Sequence, residues 1–120
     1  MKKVIWVGSS YKDFMEFPHE TRHAVGYALY FVQLGKKHEH VKTLSGMGSA
    51  AVAEIKENAP NATYRVIYTV EMEGYVFVLH SFQKKSKSGK ATPKQDLETL
   101  ESRLKEARAL YKELQNRRKL

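Results

Sequence analysis

Apolar and polar positions change period several times along the 120 residues, and each change marks an element. Val4-Ile5-Trp6-Val7 is a short β-branched and aromatic run closed by Gly8-Ser9-Ser10, which predicts a buried strand. Ser10-Tyr11-Lys12-Asp13 has the form of a capping box, a hydroxyl followed three residues later by an acid, and predicts a short helix over 10–16. Pro18 suits the first position of a second helix. On it Ala24, Val25, Ala28, Leu29 and Val32 form one stripe that stops before Gly35 as a C-cap. Residues 35–49 are basic, His-containing and Gly-rich, and read as a loop. Period two then takes over. Val52–Glu57 alternates, Thr63–Glu71 sets Tyr64, Val66, Tyr68 and Val70 against Arg65, Ile67 and Thr69, and Met72-Glu73-Gly74 turns the chain into Tyr75–Phe82. Three consecutive antiparallel strands follow from this. Thr92-Pro93-Lys94-Gln95 supplies an N-cap hydroxyl, a helix-starting proline and a glutamine able to close a capping box. The helix it opens carries Leu97, Leu100, Leu104, Ala107, Tyr111 and Leu114 at alternating spacings of three and four. The order β, α, α, three β, α describes one α+β domain over residues 1–120: a small antiparallel-rich sheet with two N-terminal helices and a long C-terminal helix.

Composition narrows the chemistry. With no cysteine there is no disulfide, no thiolate nucleophile and no cysteine-ligated zinc, and no apolar run approaches the roughly 18 residues of a membrane span. A cytoplasmic protein with no membrane association is the expectation. The formal charge is +8, and it is unevenly placed: residues 1–81 contribute +1 and residues 82–120 contribute +7. The stretch from Phe82 to Lys94 holds five lysines and no acid, a candidate polyanion contact whose alternative is a solvated lysine loop kept for solubility.

His19-Glu20-Thr21-Arg22-His23 matches the H-E-x-x-H zinc motif, and Gly26 continues the longer metzincin pattern. Leu29 stands where a third histidine would fall, and two histidines leave a catalytic zinc short of ligands. Arg22 would also set a cation beside the metal. Surface histidines on an amphipathic helix are the reading adopted, with His38 and His40 as loop residues and no metal or cofactor expected.

Placing the three strands side by side brings Lys56, Arg65, His80 and Lys84 or Lys85 within reach of one another, a set that contains no acid. Arg65 interrupts an apolar strand, so its guanidinium needs an acceptor, either a ligand phosphate or a structural partner such as Glu54 or Glu71. Lys94, in the first turn of the last helix, opposes the helix dipole unless an anion binds there. A cationic site of this kind suits RNA, which carries its own nucleophile in the 2′-OH and needs orientation, charge stabilisation and proton movement.

The pattern as a whole resembles the RelE/ParE superfamily of type II toxins, in particular the phage-derived, HigB-like branch. The resemblance rests on Ser9-Ser10 with Phe17-Pro18, Lys42-x-Leu44-x-Gly46-x-Gly48, Val52-x-Glu54-Ile55 and Tyr64-Arg65-Val66-Ile67-Tyr68. It rests above all on Val78-Leu79-His80-x-Phe82-x-Lys84-Lys85-Ser86 followed by Thr92-Pro93-Lys94. It implies a RelE-like fold and a ribosome-dependent mRNA endoribonuclease that uses 2′-OH attack without metal. The implied partners are mRNA, the ribosome and a cognate antitoxin, usually of helix-turn-helix type. Carried over, Arg65 is the phosphate ligand of the transition state, Lys84 and Lys85 the catalytic basic pair at the end of the last strand, and Lys56 an RNA or proton-transfer contact. His80, Phe82, Lys87, Lys90, Thr92 and Lys94 are the substrate-binding candidates. The tyrosine that some RelE relatives carry near the C-terminus has no counterpart, since Tyr111 lies on the apolar seam. The same superfamily includes gyrase inhibitors that are not nucleases, so a ParE-like toxin is the alternative, and a basic RNA-binding module is the third reading.

Overall fold

The computed structural model describes residues 1–36, 41–43, 52–84 and 94–118. The elements are β1 (Lys3–Trp6), α1 (Ser10–Met15), α2 (His19–Gln33), β2 (Val41–Thr43), β3 (Val52–Ala59), β4 (Ala62–Thr69), β5 (Tyr75–Lys84) and α3 (Lys94–Arg118). They form one five-stranded sheet in the order β1-β5-β4-β3-β2, with β1 parallel to β5 and every other pair antiparallel.

Both faces of the sheet are covered. On one face Phe14 and Phe17 join the α2 stripe of Val25, Ala28, Leu29 and Val32 against Ala53, Ile55, Tyr64, Val66, Tyr68, Val76 and Val78. On the other, Leu100, Leu104 and Ala107 of α3 pack on Val7, Val52, Ile67, Phe77 and Leu79. Two-sided burial is why consecutive residues are buried along Val66–Thr69 of β4 and Val76–Ser81 of β5, where a strand with one solvent face would alternate. Tyr111 belongs to the α3 cluster, its ring 6.1 Å from Tyr75 and 6.4 Å from Phe77.

The local signals correct the sequence reading in places. The segment read as a loop contains β2, three residues that extend the sheet beside β3. Three residues are too short a run to show a period. The capping box does not form: Ser9 is the N-cap of α1 and its hydroxyl donates to Asp13 Oδ2 at 2.8 Å, while Ser10 Oγ donates to the carbonyl of Val78. Pro18 is the N-cap of α2 and not its first helical residue, its carbonyl accepting from Arg22 N. Gly35, at φ +78°, follows the end of α2 and lets Lys36 N reach back to Phe31 O, which closes the helix in the left-handed manner. The capping residues Thr92 and Pro93 lie outside the described residues.

Candidate functional site

Strand register assembles the site. Alternate residues of a strand share a face, and the pairing sets Lys56 opposite Arg65 and Arg65 opposite Phe82. The next row is Glu54, Ile67 and His80; the row beyond Arg65 pairs Thr63 with Lys84. Ile67 packs under α3, so all of these residues lie on the α3 side of the sheet. Lys56, Arg65, His80 and Lys84 thus share one face, as the strand pairing read from sequence places them.

The expectation that no acid enters this set fails. Glu54 sits diagonally across from Arg65 and accepts from its Nη1 at 2.8 Å, with the carboxylate side chain 1% exposed and the arginine 12%. Glu71, the other acid considered, is exposed. A buried carboxylate is tolerated here because the guanidinium compensates it. The clamp is one-sided: Arg65 Nε is buried and has no hydrogen-bond partner among the described residues. Guanidinium presents its donors as a planar fork, so holding Nη1 fixes the direction of the rest.

A second acid enters from α3. His80 Nε2 lies 2.7 Å from Asp96 Oδ1, and Arg103 Nη1 lies 3.3 Å from His80 Nδ1. A guanidinium can only donate, so Nδ1 accepts and Nε2 carries the proton directed at Asp96. Arg103 also donates from Nη1 to the carbonyl of Leu79 and from Nη2 to Ser9 Oγ. Leu79 is the bulged residue of β5, skipped between the pairings of Ile67 with His80 and Tyr68 with Val78. Bulging turns its carbonyl out of the ladder, and Arg103 satisfies it. The chain of bonds from Asp13 through Ser9, Arg103 and His80 to Asp96 ties the β1–α1 turn, the sheet and the first turns of α3 together. What His80 presents is a ring stacked on Phe82, with centroids 4.6 Å apart and planes at 19°.

The open part of the face therefore combines the exposed Lys56, the clamped Arg65, the half-buried Phe82 ring and Lys84. It can bind a phosphate and stack a base. A cleft of about 330 Å³ adjoins it between α1 and the end of β5, lined in part by Asp13, Glu16, His80 and Phe82. A family model for phage derived protein Gp49-like (DUF891) matches residues 12–105. The chain belongs to this family. The matched span contains Glu54, Lys56, Arg65, His80, Phe82, Asp96 and Arg103, and the Gp49-like family is toxin-like in character. No curated protein matches the chain.

Of the other residues singled out from sequence, Lys94 is exposed at the start of α3. Lys85, Lys87, Lys90 and Thr92 lie outside the described residues, as do His38 and His40. The rings of His19 and His23 meet at 4.5 Å, tilted by 57°, on the exposed side of α2, and no three ligating side chains cluster among the described residues. Asp96 and Arg103 escaped the sequence reading. Their signal is the spacing of Asp96, Leu100 and Arg103, which sets both on the flank of the apolar seam facing the sheet. No helix among the described residues is long and apolar enough to cross a membrane.

Proposed function

We propose that this Gp49-like protein is the toxin of a type II toxin–antitoxin pair, a ribosome-dependent mRNA endoribonuclease related to the HigB-like branch of the RelE/ParE toxins. The observation that carries the reading is the Arg65 guanidinium, clamped at one edge by Glu54 on the open half of a basic sheet face. In the reaction the 2′-oxygen attacks the adjacent phosphorus, the bond from phosphorus to the 5′-oxygen breaks, and a 2′,3′-cyclic phosphate and a 5′-hydroxyl result. The proton leaves the 2′-OH and one is delivered to the 5′-oxygen. Arg65 stabilises the charge that grows on the phosphoryl oxygens, Lys56 across the strand pair and Lys84 supply the surrounding positive field, and Phe82 stacks a neighbouring base. Glu54 acts through Arg65 as a positioning residue. A cognate antitoxin is the partner that holds the activity in check.

The test is primer extension on a defined message in a translating extract. Arg65→Ala is a poor probe, because it strands the buried Glu54 carboxylate. The pair Glu54→Gln with Arg65→Gln removes both charges and keeps a hydrogen bond between the positions. Cuts at codon boundaries that fall by about 100-fold or more in the folded double variant support the assignment. Undiminished cleavage overturns the role of Arg65. An intact message accompanied by damage to supercoiled DNA replaces the nuclease with a ParE-like gyrase inhibitor.

A further inference from the structure

A second groove lies away from this site, among the helices on the opposite face of the sheet. It encloses about 470 Å³ between α1 and α2. Its composition is unusual for a solvent face. Met15 of α1 and Tyr27 of α2, which line it, are 42% and 59% exposed, where charged residues ordinarily stand, and Tyr30 farther along α2 is 46% exposed. Gly26 sits in the middle of α2 at the groove, and a Cβ built on it meets nothing within 4 Å. Nothing among the described residues asks for glycine there, and glycine weakens a helix relative to alanine. A bare backbone at mid-helix suits the close approach of another backbone. Arg22, also lining the groove, holds Met15 Sδ at 3.9 Å through Nη1, while its Nε is buried with no hydrogen-bond partner. A buried donor left in this state calls for an acceptor.

We infer that the α1–α2 groove is the docking site for a helix of another protein, seated over Gly26 with apolar side chains against Met15 and Tyr27 and one carboxylate on Arg22. The charge pattern selects this occupant. A second copy of the chain docked through the same face would offer Arg22 a lining that holds no carboxylate. RNA is disfavoured because residues 10–34 set Asp13, Glu16 and Glu20 against Lys12 and Arg22, with no net attraction for a polyanion. A single cation in an aromatic groove matches a mostly apolar helix face bearing one acid. The inference stands apart from the nuclease reading, since the two surfaces lie on opposite sides of the sheet.

The experiment places a photoreactive benzoylphenylalanine at Tyr27 of the full chain in its own cells, with the same probe at the exposed Lys105 of α3 as control, and sequences the crosslinked peptides. The expected product is an amphipathic segment of another protein carrying Asp or Glu, formed at least tenfold above the control. Gly26→Leu and Arg22→Glu are expected to remove it. Gly26→Leu fills open space on a helix, so its melting temperature should not fall, which separates lost docking from lost fold. Crosslinks to a second copy of the chain or to RNA, a yield no higher than the control, or a crosslink that persists in both folded variants each overturns the proposal.

Discussion

At the residue scale, Arg65 and Glu54 form a unit whose members fail differently. Arg65→Ala leaves a carboxylate buried without compensation, a loss of about 3–5 kcal/mol, whereas the neutral double variant is expected within about 1–2 kcal/mol of the parent. Urea midpoints for the two single variants and the double variant check this. A double variant as unstable as Arg65→Ala would mean that the clamp is not what destabilises the single one. Tyr68 makes a second prediction. Burial raises its phenol from 10.0 to about 12, so the folded state keeps a proton that the unfolded state releases first. The stability due to this difference is present below pH 10 and is lost as pH rises toward 12. Relative to Tyr68→Phe, the parent should therefore lose about 2–3 kcal/mol between pH 10 and 12, read from urea midpoints along the pH series. A constant difference between the two proteins across that range would show that Tyr68 titrates normally. Arg65 stood out in the sequence because a cation inside an apolar strand needs an acceptor. Glu54 could be named as one of two partners, but choosing it requires the β3–β4 register. Asp96 and Arg103 could not be placed at all, because a helix does not state which end of a sheet it crosses.

At the element scale, one contact fixes how α3 enters the fold. Gly8 has φ +57°, and a Cβ there would lie 2.7 Å from Arg103 Nε, a distance that side chains do not reach without displacement. The guanidinium cannot easily yield, since it holds Leu79 O, His80 Nδ1 and Ser9 Oγ. Gly8→Ala is expected to cost about 2–4 kcal/mol, combining the left-handed backbone penalty with loosened hydrogen bonds. Arg103→Met should cost about 2–3 kcal/mol. The two losses should not add, and a double-mutant cycle measures the shared part. Strict additivity would mean that Gly8 is needed for its backbone alone. Hydrogen exchange in the first turns of α3 should rise in both single variants. The long helices and β3, β4 and β5 were legible because each runs for several periods with punctuation at its ends, and β1 because its short apolar run closes on Gly8-Ser9-Ser10. The placing of α1 and α2 on one face and α3 on the other was not. Nor was β2, whose three residues gain strand geometry from their pairing with β3 and not from a pattern of their own.

At the scale of the whole molecule, α3 and the site share one side of the sheet, and the contributions of the basic residues to RNA binding can be separated. Residues 82–120 carry +7, shared between the lysine run after β5 and α3. Screening confines strong attraction to about 8 Å at physiological salt, so lysines that closely follow Lys84 in the chain are expected to matter more than lysines farther along α3. Each phosphate neutralised on a single strand steepens the dependence of log K on log salt by about 0.7. Binding of a single-stranded RNA to the inactive Glu54→Gln, Arg65→Gln protein, titrated across salt concentrations, isolates this term from cleavage. Replacing Lys85, Lys87 and Lys90 with serine in that background is expected to flatten the slope by about 2, and replacing Lys105 and Lys112 on the exposed side of α3 to change it little. If the α3 pair alters the slope as much as the triple set does, the RNA tracks the helix. Arg65 would then lie off its path, whatever its geometry permits.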